Sequence, residues 1–278
     1  MKYKQDFFKG IRDTNIYYQC WLPEESPKAI ILLVHGLVEH SGRYMNMVNY
    51  FVPKSYAVYG FDHIGHGKTP GQRTRIDQFK DFTDNIKIYF DHIQSWYQGL
   101  PIILFGHSMG GLISTNYLLD YQSELSAAVL SGPPLILPDI VSRTVSGLIA
   151  KFAPWLGLLR INPNDVCRDQ KVVQAYIDDP LVYNGRISAK LLTEIVKGMQ
   201  RANDEANIIN LPICIVHGGA DKLADPAGSQ MLFDKVSSKQ KFIKIYDGLY
   251  HEVLNEPEHP EVLKDIDTQL SGFLSLSA

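Results

Sequence analysis

The stretch Ile102-Ile103-Leu104-Phe105-Gly106-His107-Ser108-Met109-Gly110-Gly111 decides the fold of this chain. Its first four residues form a short apolar run, which is typical of a strand buried in a parallel sheet. The next five residues fit G-x-S-x-G, a pattern in which a nucleophilic serine occupies a tight turn between a strand and a helix. The turn brings the residues two places before and after the serine into close contact, so both must be glycine or very small. Residues 111–119 are predicted to form the helix, and we therefore expect Ser108 to be a nucleophile.

Further apolar runs alternate with helix-length segments on both sides of this motif. Besides 102–105, the predicted strands are 29–34, 57–61, 127–130, 213–216 and 242–246, with 15–22 as an antiparallel edge strand. The predicted helices are 43–51, 83–96, 110–121, 228–236 and 260–274. Strands that alternate with helices form a mainly parallel sheet covered by helices on both faces. Together with the serine motif, this pattern predicts an α/β protein with the α/β-hydrolase fold.

The region 133–207 interrupts the alternation, because no strand is predicted in it although a single crossover needs far fewer residues. Its first part, 135–159, is strongly apolar, but prolines and glycines interrupt the run, so it is not predicted to span a membrane. We predict that 133–207 is a helical cap over the C-terminal edge of the sheet. Residues 1–132 and 208–278 then form the hydrolase core. The alternative is a helical layer that only packs on the core.

A serine hydroxyl is a poor nucleophile at neutral pH, so a base must accept its proton and an acid must orient that base. In this fold the chain order is serine, then Asp or Glu, then His. Asp221 follows the predicted strand 213–216 and is the predicted acid. Asp225 is the alternative, although its place before Pro226 is typical of a helix N-cap.

The base is expected in a loop after the last strand. His251 follows the predicted strand 242–246 and is therefore the predicted base. His259 is the other histidine after Asp221, but it lies at the start of the final predicted helix.

The oxyanion of an acyl-transfer intermediate needs backbone N–H donors directed at the position where negative charge develops. One donor is expected from Met109, which follows the nucleophile. The other is expected from Leu37, since Gly36 permits a turn directly after the predicted strand 29–34. The alternative is that His35-Gly36 only ends that strand.

Two patterns near residue 65 are not predicted to carry chemistry. Gly67-Lys68-Thr69 resembles the end of a phosphate-binding loop, but the first glycine of that motif falls at Asp62. His63 and His66 share one tight loop with Asp62 and have no partner ligands at metal-site spacing. We therefore expect no metal and no organic cofactor.

Composition and charge restrict the classes of partner. Of 278 residues, 45% are hydrophobic and 21% charged, which is ordinary for a globular protein with a sizeable core. A net charge of −3 argues against nucleic-acid binding, which requires a basic face. The three cysteines form no C-x-x-C pair, and 1–10 has no apolar core of a signal peptide. These features favour a cytoplasmic protein that contacts membranes at most peripherally.

Six stretches together resemble the monoacylglycerol lipase and lysophospholipase branch of the α/β-hydrolases, over nearly the whole chain. They are His35-Gly36-Leu37-Val38-Glu39-His40-Ser41-Gly42-Arg43-Tyr44, Asp62-His63-Ile64-Gly65-His66-Gly67, Gly106-His107-Ser108-Met109-Gly110-Gly111, Asp179-Pro180-Leu181-Val182-Tyr183, His217-Gly218-Gly219-Ala220-Asp221 and Tyr250-His251-Glu252. The combination is far more specific than any one of these motifs.

The resemblance implies a Ser108–His251–Asp221 triad with Leu37 and Met109 forming the oxyanion hole. It implies that a mobile apolar cap contacts the membrane and admits the acyl chain. It also implies that Glu39 and Arg43 hold the glycerol head group of the substrate, a solvated ion pair being the alternative. One departure is Leu254, where some of these lipases place a second histidine that helps bind glycerol. This departure leaves lysophospholipids and other short esters open as substrates.

The predicted reaction is hydrolysis of monoacylglycerols or related lipid esters through an acyl-serine intermediate. The apolar start of the insertion is expected to supply the acyl tunnel, with Leu148, Ile149, Phe152 and Trp155 as candidates. Lysophospholipase or general carboxylesterase activity is the alternative. A serine peptidase is less favoured, since it would need an acidic cluster that binds a free amino terminus. A catalytically silent binding protein is also less favoured, because it would not need the three triad residue types in the correct order.

Overall fold

The computed structural model describes residues 1–275 and contains ten strands. They are β1 (Lys2–Lys9), β2 (Asn15–Leu22), β3 (Ala29–Val34), β4 (Tyr56–Phe61), β5 (Ile102–His107), β6 (Ala127–Ser131), β7 (Gly157–Leu159), β8 (Ile187–Ser188), β9 (Ile213–Gly218) and β10 (Lys241–Tyr246). Eight of them form one sheet in the order β1-β2-β4-β3-β5-β6-β9-β10, while β7 and β8 pair separately. This architecture confirms the predicted fold class.

The sheet is parallel from β4 to β10 and antiparallel at its β1–β2–β4 side. The prediction of an antiparallel strand at 15–22 is correct, but its place at the edge is wrong. Strand β1 lies outside β2 and is the edge. It carries no apolar pattern because only Phe8 among its residues is buried, and a strand that faces solvent gives no hydrophobic signal.

Helices cover both faces of the sheet. They are α1 (Met45–Phe51), α2 (Lys80–Trp96), α3 (Met109–Tyr121), α4 (Ile140–Phe152), α5 (Gln170–Asp178), α6 (Ala189–Glu205), α7 (Ala227–Lys235) and α8 (His259–Ser275). Strand side chains alternate between the two layers: Leu32 belongs to the buried cluster that includes α2, α3 and α7, and Leu33 to the cluster that includes α1 and α8. None of these helices, as far as residues 1–275 are concerned, is both long and apolar enough to cross a bilayer.

The segment 133–207 contains α4, α5 and α6 together with the short β7–β8 ribbon, where the sequence predicted no strand. Helix α6 packs on α3, and its residues Leu191, Ile195 and Met199 belong to the same buried cluster as the sheet. Helix α4 packs on α6 in turn. The insertion is therefore anchored through α6, with α4 as an outer layer.

The loops that follow β3, β5, β6, β9 and β10 all leave the same edge of the sheet, because these strands are parallel neighbours. Ligands in open α/β sheets bind at the carboxyl ends of such strands. The predicted site residues lie on these loops: Leu37 after β3, Ser108 after β5, Asp221 after β9 and His251 after β10.

Candidate active site

Ser108 occupies a strained turn between β5 and α3. Its backbone angles are φ 53° and ψ −125°, which side-chain-bearing residues rarely adopt. A Cβ on Gly110 would lie 2.1 Å from the carbonyl oxygen of Val34, and one on Gly106 would lie 2.4 Å from the carbonyl oxygen of Gly110. Both glycines are therefore required by backbone approach, as the spacing of the motif predicts.

Ser108, His251 and Asp221 are joined by hydrogen bonds. The imidazole Nε2 of His251 lies 2.7 Å from Ser108 Oγ, and its Nδ1 lies 2.6 Å from Asp221 Oδ2. The side chain of Asp221 is fully buried and that of His251 nearly so. The structure thus brings the three predicted side chains together in the geometry of a nucleophile, a base and an orienting acid.

Four donors hold the Asp221 carboxylate in place. Oδ1 accepts from the backbone N–H groups of Leu223 and Ala224, at 2.8 and 3.0 Å. Oδ2 accepts from His251 and also lies 3.0 Å from Nε2 of His217. Burial alone would raise the pKa of Asp221, but hydrogen bonds from His217 and His251 outweigh burial and lower it, so the group stays ionised. His217 belongs to one of the stretches that carry the family resemblance, but no role is predicted for it from the sequence, in which it lies four residues before Asp221.

The rival acid and base serve structural roles. Asp225 Oδ1 accepts from the backbone N–H of Ala227 at the start of α7, as its position before Pro226 suggested. His259 Nδ1 lies 2.8 Å from the carbonyl oxygen of Glu256, at the start of α8. Neither side chain contacts Ser108.

The environment of His251 favours its protonated form. Burial would lower its pKa, but the hydrogen bond and charge of Asp221, with the charges of Glu252 and Glu39, raise it above the ordinary value. His107 lies close by, with ring centroids 4.9 Å apart. Burial lowers the pKa of His107 to about 3, so it stays neutral and adds no competing positive charge.

The fold leaves the two predicted oxyanion donors free to bind a ligand. Within residues 1–275, no acceptor is hydrogen-bonded to the backbone N–H of Leu37 or of Met109. The adjacent N–H of Gly36 is bound at 2.6 Å by Oε1 of Glu39, which fixes the loop after β3. Backbone N–H groups beside a nucleophile that the fold does not use are available to the oxygen of a substrate.

Glu39 and Arg43 form a buried network with Glu252, a residue for which the sequence predicted no role. Arg43 Nη1 donates to Glu39 at 2.7 Å and to Glu252 at 2.6 Å, and Nη2 donates to Glu252 at 2.9 Å. Tyr44 donates its hydroxyl to Glu39 at 2.6 Å. The pair is therefore not solvated. Glu252 could have been suspected from its place directly after His251.

The insertion is fastened to this network. The Arg43 guanidinium lies 4.6 Å from the ring centroid of Tyr176 on α5. His40 Nε2 lies 2.9 Å from Asp179 Oδ2, just after α5. The stretch that begins at Asp179 thus contacts the loop after β3, which also carries Leu37.

A cavity of about 150 Å³ opens above Ser108. Its polar end contains Glu39, His107, His251 and Glu252. The rest is apolar and is formed by the loops after the strands and by 159–199, namely Leu37, Met109, Pro134, Leu159, Ile161, Val166, Tyr176, Leu192, Ile195, Met199, Leu223 and Ala224. Such a cavity suits a substrate with a long apolar part and a small polar group beside the serine.

The four residues expected to form an acyl tunnel do not line this cavity. Phe152 and Trp155 are 73% and 69% exposed, and Leu148 is also exposed. Ile149, between them on α4, is half-buried and does not reach the cavity wall either. An apolar run does not reveal which side of a helix faces the core, and here α6 rather than α4 lies over the site.

The remaining sequence features have structural explanations. Leu254, where a second histidine was considered, is buried on the α1–α8 side of the sheet, so its side chain does not face the cavity. Asp62 accepts hydrogen bonds from Ser41 and from the backbone of Lys68, which shapes its loop. Residues 1–275 contain no group of side chains arranged to hold a metal.

Comparison with known proteins agrees with this geometry. A family model described as serine aminopeptidase, S33, matches residues 25–258. The monoacylglycerol lipase of Mycolicibacterium smegmatis is 36% identical over 270 residues, which are 96% of each chain. The monoglyceride lipase of Mus musculus is 31% identical over 264 residues, 94% of this chain and 86% of the relative. The crystal structure of Paleococcus ferrophilus monoacylglycerol lipase matches with a TM-score of 0.82 at 30% identity, covering 98% of this chain and 100% of the other.

These similarities extend over nearly the full chain and confirm the resemblance predicted from its motifs. The protein is a serine ester hydrolase and belongs to the monoacylglycerol lipase branch of the α/β-hydrolase superfamily.

Proposed function

We propose that this enzyme hydrolyses monoacylglycerols, or closely related lipid esters, to a fatty acid and an alcohol through an acyl-Ser108 intermediate. The observation that carries the proposal is the hydrogen-bonded chain Ser108–His251–Asp221 at the mouth of an apolar cavity. The names of the relatives from Mycolicibacterium smegmatis and Mus musculus support the same substrate class.

In the first half of the reaction, His251 Nε2 accepts the hydroxyl proton of Ser108 as Oγ attacks the ester carbonyl carbon. Asp221 stabilises the imidazolium that forms. The N–H groups of Leu37 and Met109 hold the negative oxygen of the tetrahedral intermediate. The alcohol leaves with the proton from His251. Water, activated by the same base, then releases the fatty acid from Ser108.

The polar end of the cavity favours an uncharged head group. Its charged side chains besides His251 are the two acids Glu39 and Glu252, and the one cation that neutralises them, Arg43, is not part of the cavity wall. A glycerol can exchange hydrogen bonds with these groups. The phosphate of a lysophospholipid would instead meet a net negative charge, so we place lysophospholipids second.

The matching family is described as a serine aminopeptidase, so a peptide is the alternative substrate class. A free amino terminus carries three hydrogen-bond donors and needs carboxylates with several unused acceptor positions. The oxygens of Glu39 already accept from Gly36, Arg43 and Tyr44, and those of Glu252 accept from Arg43 and Asn255. The geometry therefore favours an ester over a peptide with a free amino terminus.

Residues 133–207 act in this proposal as a cap that covers the cavity and contacts the lipid surface. Helix α6 supplies the apolar wall beside Ser108 through Leu192, Ile195 and Met199. The side chains of Phe152 and Trp155 project into solvent near the end of α4, and exposed aromatic groups are typical of membrane-contacting surfaces. The three buried free thiols fit a reducing compartment such as the cytoplasm.

The proposal is tested by measuring fatty-acid release from 2-oleoylglycerol and from oleoyl-lysophosphatidylcholine, which share one acyl chain. We expect a higher kcat/KM for the glycerol ester. Comparable or faster turnover of the lysophospholipid would contradict the head-group argument. Turnover of neither lipid, with p-nitrophenyl butyrate still cleaved, would leave a general carboxylesterase.

A further inference from the structure

A second cavity, of about 280 Å³, lies between the loop 72–75 and the start of α6. It shares no lining residue with the cavity above Ser108. Its wall is basic and polar and consists of Gln72, Arg73, Thr74, Arg75, Pro154, Trp155, Gly157, Tyr183, Arg186, Ser188 and Lys190. We call this second cavity the arginine pocket.

The three arginines of the arginine pocket are not balanced by acids. No acidic side chain is part of its wall, and none of its three arginines forms an ion pair with any residue in 1–275. Arg73 donates only to the carbonyl oxygens of Gly65 and Gly67, and Arg75 only to the side chain of Gln72. Lys190 is paired, with Glu194 at 2.7 Å. In a chain of net charge −3, such a concentration of unpaired arginines favours an anionic ligand.

The loop 72–75 has an unfavourable backbone conformation at Thr74. This residue lies between Arg73 and Arg75, so its conformation positions both arginines at the pocket. Thr74, between Arg73 and Arg75, has φ +57°, which is rare for a β-branched residue. Ser188 holds it there: its hydroxyl donates to the carbonyl oxygen of Thr74, and its N–H donates to Thr74 Oγ1. Strain of this kind persists where the surroundings enforce it, and it is concentrated at binding sites.

Exposed apolar side chains at the rim of the arginine pocket indicate that its ligand belongs to a membrane surface. Trp155 is part of the wall and is 69% exposed, and the neighbouring Phe152 and Leu156 are also exposed. Tryptophan beside cationic side chains is typical of the polar surface of a bilayer, where arginine binds phosphate groups in a forked geometry.

We propose that the arginine pocket binds the phosphate group of an anionic phospholipid at the bilayer surface. The site rests on the membrane contact proposed for the cap and is independent of the proposed hydrolysis. Arg75 and Arg186 donate to the phosphate oxygens, with Trp155 at the level of the head groups. Binding there orients the cap against an anionic bilayer.

The test is sedimentation of the full-length protein with vesicles of phosphatidylcholine, and with vesicles of equimolar phosphatidylcholine and phosphatidylglycerol. We expect the wild type to prefer the anionic vesicles. Because each cation near an anionic surface contributes about 1 kcal/mol, the double variant Arg75→Gln/Arg186→Gln should bind them about 30-fold more weakly. Binding to the neutral vesicles, which reports on the proposed membrane contact itself, should fall much less, because the choline ammonium of phosphatidylcholine balances the charge of its phosphate.

The matched control is Lys239→Gln/Lys264→Gln, which removes the same charge from two exposed lysines outside the pocket. We expect it to keep nearly all of the anionic preference, and both double variants to cleave water-soluble p-nitrophenyl butyrate like the wild type. Equal losses in the two variants, or a wild type without anionic preference, would overturn the proposal. A pocket that binds inorganic phosphate but gives no preference for anionic vesicles would overturn it as well.

Discussion

Arg43 binds the carboxylate of Glu252 through both terminal nitrogens of its guanidinium, at 2.6 and 2.9 Å, although the two residues lie on different loops. Glu252 directly follows His251. Arg43 also binds Glu39, which holds the N–H of Gly36 beside Leu37. One cation therefore connects the loop of the proposed base, His251, to the loop of the proposed oxyanion donor, Leu37.

Replacement of Arg43 by methionine should strongly destabilise the protein. Arg43→Met leaves two buried carboxylates without their cation, and removal of one partner from a buried pair costs about 3–5 kcal/mol. Urea unfolding measures the change in free energy. The control is Arg201→Met, which breaks the more exposed pair of Arg201 with Asp120 and should cost at most about 1 kcal/mol. Similar costs for the two variants would contradict the role given to Arg43.

The pH dependence of the reaction should follow His251. The base must be neutral to accept the proton of Ser108, so activity rises as pH increases through the pKa of His251. Because Asp221 and the nearby acids raise that pKa, the acid limb of kcat/KM should have its midpoint above about 6.5, the ordinary histidine value. A midpoint below that value would show that burial outweighs the nearby acids.

The two aspartates that compete for the acid position can be separated by mutation. Asp221→Asn should lower kcat by about 10⁴-fold, because the amide cannot hold the imidazole in the required tautomer. Asp225→Asn should leave kcat within about twofold, since Asp225 caps α7 and a cap contributes to stability. Steady-state kinetics of both variants decide between them, and the reverse order of effects would reassign the acid.

The acyl chain should lie against α6. Ile195→Trp fills the cavity above Ser108, so it should lower kcat/KM for a long-chain monoacylglycerol by about tenfold or more, as expected for loss of a few methylene contacts. Activity on p-nitrophenyl acetate should change little. Ile177→Trp is the control, because Ile177 is exposed on α5 and does not line the cavity. A uniform loss on both esters in Ile195→Trp would argue against this location.

The centre of the fold follows from the sequence because its strands are buried on both faces. All six residues of β3 and of β5 are buried, and continuous apolar runs of this length have few alternatives to a parallel strand. Strand β1 is different, since its residues other than Phe8 face solvent and its place in the sheet depends on pairing with β2. Pairing between strands is a tertiary property that composition does not report.

Some residues of the candidate site could likewise be predicted from the sequence, and others could not. The residues Ser108, Asp221 and His251 could be chosen because each lies in the turn or loop that follows a predictable strand. The residues that line the acyl cavity could not be predicted, because the lining depends on which helix of the insertion packs over Ser108. Apolar content favoured α4, whereas the docking of α6 on α3 puts Ile195 and Met199 there. The contact of His217 with Asp221 could not be predicted either, because it depends on how the loop after β9 folds back on the strand.

The most direct test of the account is the turnover of 2-oleoylglycerol by Ser108→Ala beside Ser95→Ala, which alters an exposed serine on α2. Loss of the nucleophile should reduce kcat by about 10⁶-fold, as in serine hydrolases with a comparable triad. The Ser95 variant should match the wild type. Turnover by Ser108→Ala at the wild-type rate would contradict the central claim that Ser108 is the nucleophile.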